Sequence, residues 1–223
     1  MFFEQKIRSI RSTDRVLEIG PGSTPFRRSN AFLEIRLTTL EERILQRGEV
    51  VDDPDYKGRP VFYYDGGVFP FTNNEFDYVI CSHVIEHVEN PELFVSEIFR
   101  VGGGRGYIEY PMIAYEYLYD FGVHKLILKL DPESNNLQYV KKQNLPLSQF
   151  SPVTTLLRKS LDCRWDDLCS ANKNMFFEGF EFLNGFNISQ EHDLSKLVPS
   201  DNVLRRKSFA RRAINKMMNV LKL

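Results

Sequence analysis

Val16-Leu17-Glu18-Ile19 runs directly into Gly20-Pro21-Gly22-Ser23-Thr24-Pro25. Apolar residues without a polar alternation mark a strand covered on both faces, and the glycine-rich turn marks its carboxyl end. Such strands belong to parallel sheets flanked by helices, where small ligands bind outside the carboxyl ends of the strands. The turn therefore locates a candidate small-molecule site near the start of the chain. Glu18 supplies it with a carboxylate.

Further strands follow at short intervals: Ala31-Phe32-Leu33-Glu34-Ile35, then Val61-Phe62-Tyr63-Tyr64, then residues 76–82, then Gly106-Tyr107-Ile108-Glu109-Tyr110 stopped by Pro111. About a dozen residues separate the first two, too few for a full crossover helix, so any helix there is brief or irregular. Asn90 as N-cap and Pro91 at the first position open a helix whose apolar stripe is Leu93, Phe94, Ile98 and Val101, and Gly102-Gly103-Gly104 closes it. A second helix is expected over 39–47, with a turn-rich segment over 48–60. Strands alternating with helices imply a mostly parallel sheet. After residue 112 the pattern weakens: Leu137–Val140 and Phe176–Leu183 read as strands, and 153–161 as a helix. Tyr115, Tyr117 and Tyr119 could roof a pocket or fill a core.

The turn is tested first as a dinucleotide cradle. That motif needs a third glycine so that a helix can present its amides to a pyrophosphate. Pro25 stands where it would fall, which removes this reading. A structural glycine turn is the plain alternative. A nucleoside with a cationic tail fits better, because carboxylates recur at successive strand ends: Glu18, Glu34 and Asp65. One can neutralise an ammonium, one can accept both ribose hydroxyls, and one can accept from an exocyclic amine.

With these residues on the page, the chain resembles the class I S-adenosylmethionine-dependent methyltransferases of the small-molecule and lipid-type branch. The resemblance rests on Val16–Gly22, on Phe69-Pro70-Phe71, on the run from Phe76 through Ser82-His83-Val84-Ile85-Glu86-His87 to Val88, and on Arg100–Gly104. It covers residues 14–111. It implies an α/β, Rossmann-like fold, a mostly parallel central sheet with flanking helices, to which the residue pattern beyond 111 adds C-terminal strands and a terminal basic helix. It implies S-adenosylmethionine as cofactor. The turn Gly20-Pro21-Gly22, with Glu18, would lie along the methionine part, Glu34 at the ribose, and Asp65 with Gly66 at the adenine. Ser82 and His83 would line the cofactor and the reacting centre. The short link from Gly22 to Ala31 departs from the family pattern and bears on the alignment of Glu34.

The implied reaction moves a methyl group to an oxygen or nitrogen of a small molecule or saccharide, with no nucleic acid partner. His83, His87 and His124 are the candidate bases near neutral pH. The alternatives are a non-catalytic binding module on the same fold, and a zinc hydrolase through His83-x-x-Glu86-His87, an inverted zinc-protease pattern. That pattern opens directly after a buried strand rather than within a long helix, so no metal is expected, and His87 reads more simply as packing under the sheet edge.

The 223 residues suit one domain over 1–201, with a cofactor half at 14–111 and a substrate half at 112–201, plus an appendage over 202–223. Net charge is −1, yet residues 202–223 hold seven Lys or Arg and no acid, which leaves −8 on the remainder. An acidic body disfavours phosphate backbones. The tail reads as a basic amphipathic helix, packed on the sheet or docked on an anionic membrane surface or an acidic partner. Trp165, Asp166, Asp167, Phe176 and Phe177 in the substrate half point weakly to a polar acceptor. Cys81, Cys163 and Cys169 make no disulfide framework, and Cys81 reads as core. Without a signal peptide or a long apolar run, a cytoplasmic location is expected, with contact at a membrane surface through the tail.

Overall fold

The computed structural model describes residues 1–37, 39, 41–42, 44, 55–145, 156–157 and 166–199. The helices expected over 39–47 and 153–161 fall mostly outside these, as do Cys163, Trp165 and the basic tail 202–223.

Five parallel strands make the frame: β1 (Val16–Ile19), β2 (Ala31–Ile35), β3 (Val61–Tyr64), β4 (Tyr78–Ser82) and β5 (Gly106–Pro111). With β8 (Phe177–Phe182), antiparallel to β5, they form a sheet of order β3-β2-β1-β4-β5-β8. A second sheet, β6-β7-β9, comprises β6 (Leu126–Asp131), β7 (Asn136–Lys141) and β9 (Asn187–Gln190). No described helix is long and apolar enough to cross a membrane.

Strand periodicity divides the core between the two faces of the main sheet. Leu17, Ile19, Val79, Cys81 and Ile108 face helix α1 (Pro91–Gly102) and meet its Phe94, Val95, Ile98 and Val101. Leu93, expected in that stripe, is exposed, and Val95 takes the buried position. The opposite face carries Val16, Tyr78, Ile80 and Tyr107 against Phe3, Tyr119, Cys169, Phe176 and Phe177. The Tyr-rich segment is a short helix, α2 (Ile113–Tyr119). It splits the two expectations for its tyrosines: Tyr119 is core, and Tyr117 is half exposed.

The β1–β2 connection, residues 20–30, contains no helix. Side chains hold it instead. Glu18 Oε2 accepts from the Phe26 amide at 2.9 Å and the Ser29 hydroxyl at 2.7 Å. Arg59 donates to the carbonyls of Phe26 and Ser29 and lies over the Phe32 ring.

A second brace fixes the Phe69–Phe71 loop that leads to β4. Buried Glu97 accepts from the Phe69 amide at 2.7 Å and pairs with Arg100, whose guanidinium donates to the carbonyls of Phe69 and Phe71. Glu97→Ala leaves the Arg100 charge and the Phe69 amide unpaired, and should lower unfolding free energy by about 1–3 kcal/mol in urea denaturation.

Candidate active site

In a parallel sheet all carboxyl ends share one edge. Register sets Ile19 beside Cys81, Glu34 beside Tyr63 and Ser82 beside Glu109, so the ends of all five strands converge. Gly20, Pro21 and Gly22 follow β1 on this edge. Gly20 has φ of 58°, and a Cβ there would stand 2.6 Å from Val84 Cγ2, so the turn and the segment after β4 touch only because the residue is glycine. Gly22 also has positive φ, but a Cβ would meet open space. Glu34 is buried at the end of β2 and accepts from the Tyr56 hydroxyl at 3.0 Å. Asp65 and Gly66 lie exposed after β3.

Glu18 is 4% exposed. Burial raises its pKa to about 7, against the lowering effect of the Ser29 and Phe26 hydrogen bonds and of Arg59. It is thus a carboxyl whose charge depends on its surroundings near neutral pH.

At the middle of the edge lies Glu109, fully buried. Its oxygens accept from the amides of Phe2 and Phe3, from the Ser82 and Tyr107 hydroxyls, and from His83 Nε2 at 3.0 Å. Burial opposes ionisation, but the His83 hydrogen bond and charge, the Tyr107 hydroxyl and the Phe2 amide prevail and hold the Glu109 pKa at about 2. For His83, burial works toward the neutral form; Glu109 and Glu86 outweigh it and raise the pKa to about 9. His83, in left-handed backbone (φ of 57°) with its ring edge-on to Phe2 and Phe177, is therefore an imidazolium at neutral pH. A protonated ring bonded to Glu109 and 3.5 Å from Glu86 is a donor, not a base.

His87 and His124 form a separate group, with ring centroids 4.7 Å apart. Glu86 and His87 belong to a single 3-10 turn, Ile85–His87, so the spacing from His83 to His87 is not that of one α-helical face. His124 arrives from the entrance to β6, which the Lys125 amide pins to the Glu86 carbonyl. His124 Nδ1 lies 2.5 Å from Glu116 Oε1, and Glu116 is anchored by Lys142 at 2.9 Å. His87 is held in its neutral form, first by burial and then by His124, against Glu86. His83 and His87 are thus shifted in opposite directions. Beside His124 opens a cleft of about 390 Å³ lined by Val88, Asp120, His124, Lys125, Lys142 and Leu145 among others; it does not lie over the glycine turn.

Residues 17–109, from β1 to the Glu109 hub, match the family model described as a methyltransferase domain. Over this segment the chain is similar to the S-adenosylmethionine-dependent methyltransferases. The family's cofactor is S-adenosylmethionine, and the open space at Gly22, the exposed Asp65 and the titratable Glu18 fit a cationic nucleoside.

Solved structures with a similar fold include a S-adenosylmethionine-dependent methyltransferase of Thermotoga maritima at 20% identity, covering 49% of each chain with a TM-score of 0.33. Another is such an enzyme of Mesorhizobium loti at 18% identity, covering 60% of this chain and 59% of that one with a TM-score of 0.33. A third is the Haloferax volcanii complex of the Trm112 methyltransferase activator with its methyltransferase-like partner, at 15% identity, 54% and 65% coverage, and a TM-score of 0.37. The chain spans about half the length of the first of these. No curated protein matches it significantly.

Sequence reasoning singled out His83, His87, His124 and the strand-end acids. It did not single out Glu116 or the Phe2–Phe3 amides, and it gave Glu109 only a position. A lone acid inside the apolar run Tyr107–Tyr110 was the available signal for a buried hub.

The His83–Glu109 pair sets a pH signature for stability. The raised His83 pKa contributes stability that is complete below its ordinary value of 6.5 and lost as pH rises through about 9. The lowered Glu109 pKa contributes stability present above 4.5 and lost as pH falls through about 2. Urea midpoints for the wild type should therefore fall between pH 6.5 and 9, and His83→Gln should flatten that fall. Parallel slopes in the two proteins would show that His83 is not cationic.

Proposed function

We propose that the chain is a methyltransferase that moves the methyl group of S-adenosylmethionine to an oxygen or nitrogen of a polar small molecule or saccharide. The carrying observation is the convergence of Gly20–Gly22, Glu34, Asp65 and Ser82–His83 on one sheet edge within the matched segment. When bound, the cofactor supplies an electrophilic methyl on sulfur. The backbone at Gly20–Gly22 and the Glu18 carboxylate hold its amino-acid end, Glu34 accepts from the ribose hydroxyls, and Asp65 with the Gly66 backbone edges the adenine.

His83, fixed by Glu109, acts as a rigid donor that lines the reacting centre. Proton acceptance falls to the neutral His87 or to His124, which Glu116 orients as a second carboxylate does in acid–base sites. The cleft beside His124 carries Lys125, Lys142 and Asp120, a lining that supports a polar acceptor over a bare lipid. Alignment of acceptor and methyl is the main catalytic contribution asked of the protein. A location in the cytoplasm, and a basic tail 202–223 that docks on an anionic surface or an acidic partner, complete the proposal.

Calorimetric titration with S-adenosylmethionine tests it. Asp65→Ala should weaken binding by about 1–3 kcal/mol. The ligand carries net positive charge and favours ionised Glu18, so affinity should rise as pH increases through about 7, and Glu18→Gln should remove that rise. Absence of binding at millimolar cofactor would end the proposal; binding without transfer to any polar acceptor would favour the non-catalytic module.

A further inference from the structure

Glu86 is fully buried, and neither of its carboxylate oxygens has a hydrogen-bond partner. Nδ1 of the neighbouring His87 is likewise buried without one. Buried polar groups are nearly always satisfied, and a lone carboxylate is among the costliest to leave bare. The nearest cation, His83, lies 3.5 Å away through Nδ1 and commits its other nitrogen to Glu109. His87 Nε2 is 3.9 Å from the same Glu86 oxygen, too far for a hydrogen bond.

We propose that Glu86, His87 and His124 form a divalent-metal site, with zinc the ion that suits two imidazoles and one carboxylate. One ligand atom from each residue lies within 4.8 Å of the others. Tetrahedral zinc with bonds near 2.0–2.1 Å places ligand atoms about 3.3 Å apart, within reach of small side-chain rotations. The surrounding contacts complete the pattern. Glu116 takes Nδ1 of His124 and leaves Nε2 for the metal, the carboxylate–histidine–metal arrangement that fixes ring orientation, and Lys142 anchors Glu116 in turn. Three protein ligands leave a fourth position, and the cleft lined by His124 gives an ion and an oxygen ligand a way in.

This site differs from the His-x-x-Glu-His motif, which pairs His83 with His87. The fold spends His83 on Glu109 and recruits His124 from the second sheet. It also departs from the sequence expectation of no metal, for a reason visible only in three dimensions. The site does not depend on methyl transfer for its assembly, and an ion bound there would occupy the His87 and His124 nitrogens otherwise assigned to proton acceptance.

The test is titration of metal-stripped full-length chain with Zn²⁺ by calorimetry, with Co²⁺ absorption as a reporter of nitrogen and oxygen coordination. The expected result is about one equivalent bound at roughly micromolar affinity or tighter, with a rise in melting temperature. His124→Ala, a change at the cleft wall, should weaken binding by about 100-fold or more, and Glu116→Gln by about 10–100-fold. No binding at roughly 100 µM Zn²⁺, or equal affinity in the wild type and His124→Ala, would overturn the proposal; the latter would assign the ion to other groups such as cysteine thiols.

Discussion

The carboxylate of Glu109 sits in the carboxyl half of β5, the strand between β4 and β8, out of contact with water. A charge in that position is tolerated only when its lone pairs are used, and here they are used by groups from three places: the Phe2–Phe3 backbone, Ser82 with His83, and Tyr107. Satisfying one carboxylate therefore fixes the segment before the sheet, the crossing from β4 and the rotamer of His83 together. Breaking any donor leaves the rest of the network partly bare. The edge of the sheet is rigid where a ligand would need it to be, and the rigidity comes from charge rather than from apolar packing alone.

That arrangement decides how the histidines divide. His83 faces two carboxylates and keeps its proton. His87, enclosed with Glu86 and His124, is held neutral. His124 gives Nδ1 to Glu116 and lines the cleft. Identical side chains thus take different protonation states within a few ångströms, because each meets a different balance of burial and nearby charge. The division separates a donor at the sheet edge from the neutral His87.

Much of the frame is legible in the sequence. Strands β1 to β5, the Asn90–Pro91 start of α1 and the helix-free link before Ala31 follow from apolar runs, capping chemistry and chain length. What escapes reading is set by contacts distant in sequence. Strand β6, with Leu126-Ile127-Leu128, offers only a short apolar run interrupted by Lys129, and helix α2 is rich in tyrosines, whose strand preference the tertiary packing overrides. The Glu109–His83 bond needs the parallel register of β4 and β5, and the His87–His124 contact needs the second sheet to lie on the Ile85–His87 turn. Glu86, legible in the sequence only as part of the His-x-x-Glu-His pattern, is fully buried by the fold. The basic tail and the 39–47 helix lie outside the described residues.

The account turns on the claim that the shared carboxyl edge of β1 to β4 is the cofactor's seat. A crystal structure with S-adenosylhomocysteine tests this most directly. The account predicts the amino-acid end along Gly20–Gly22, the ribose hydroxyls on Glu34, the adenine beside Asp65 and Gly66, and the sulfur facing His83. Ligand seated instead in the cleft beside His124, with the glycine edge empty, would contradict it.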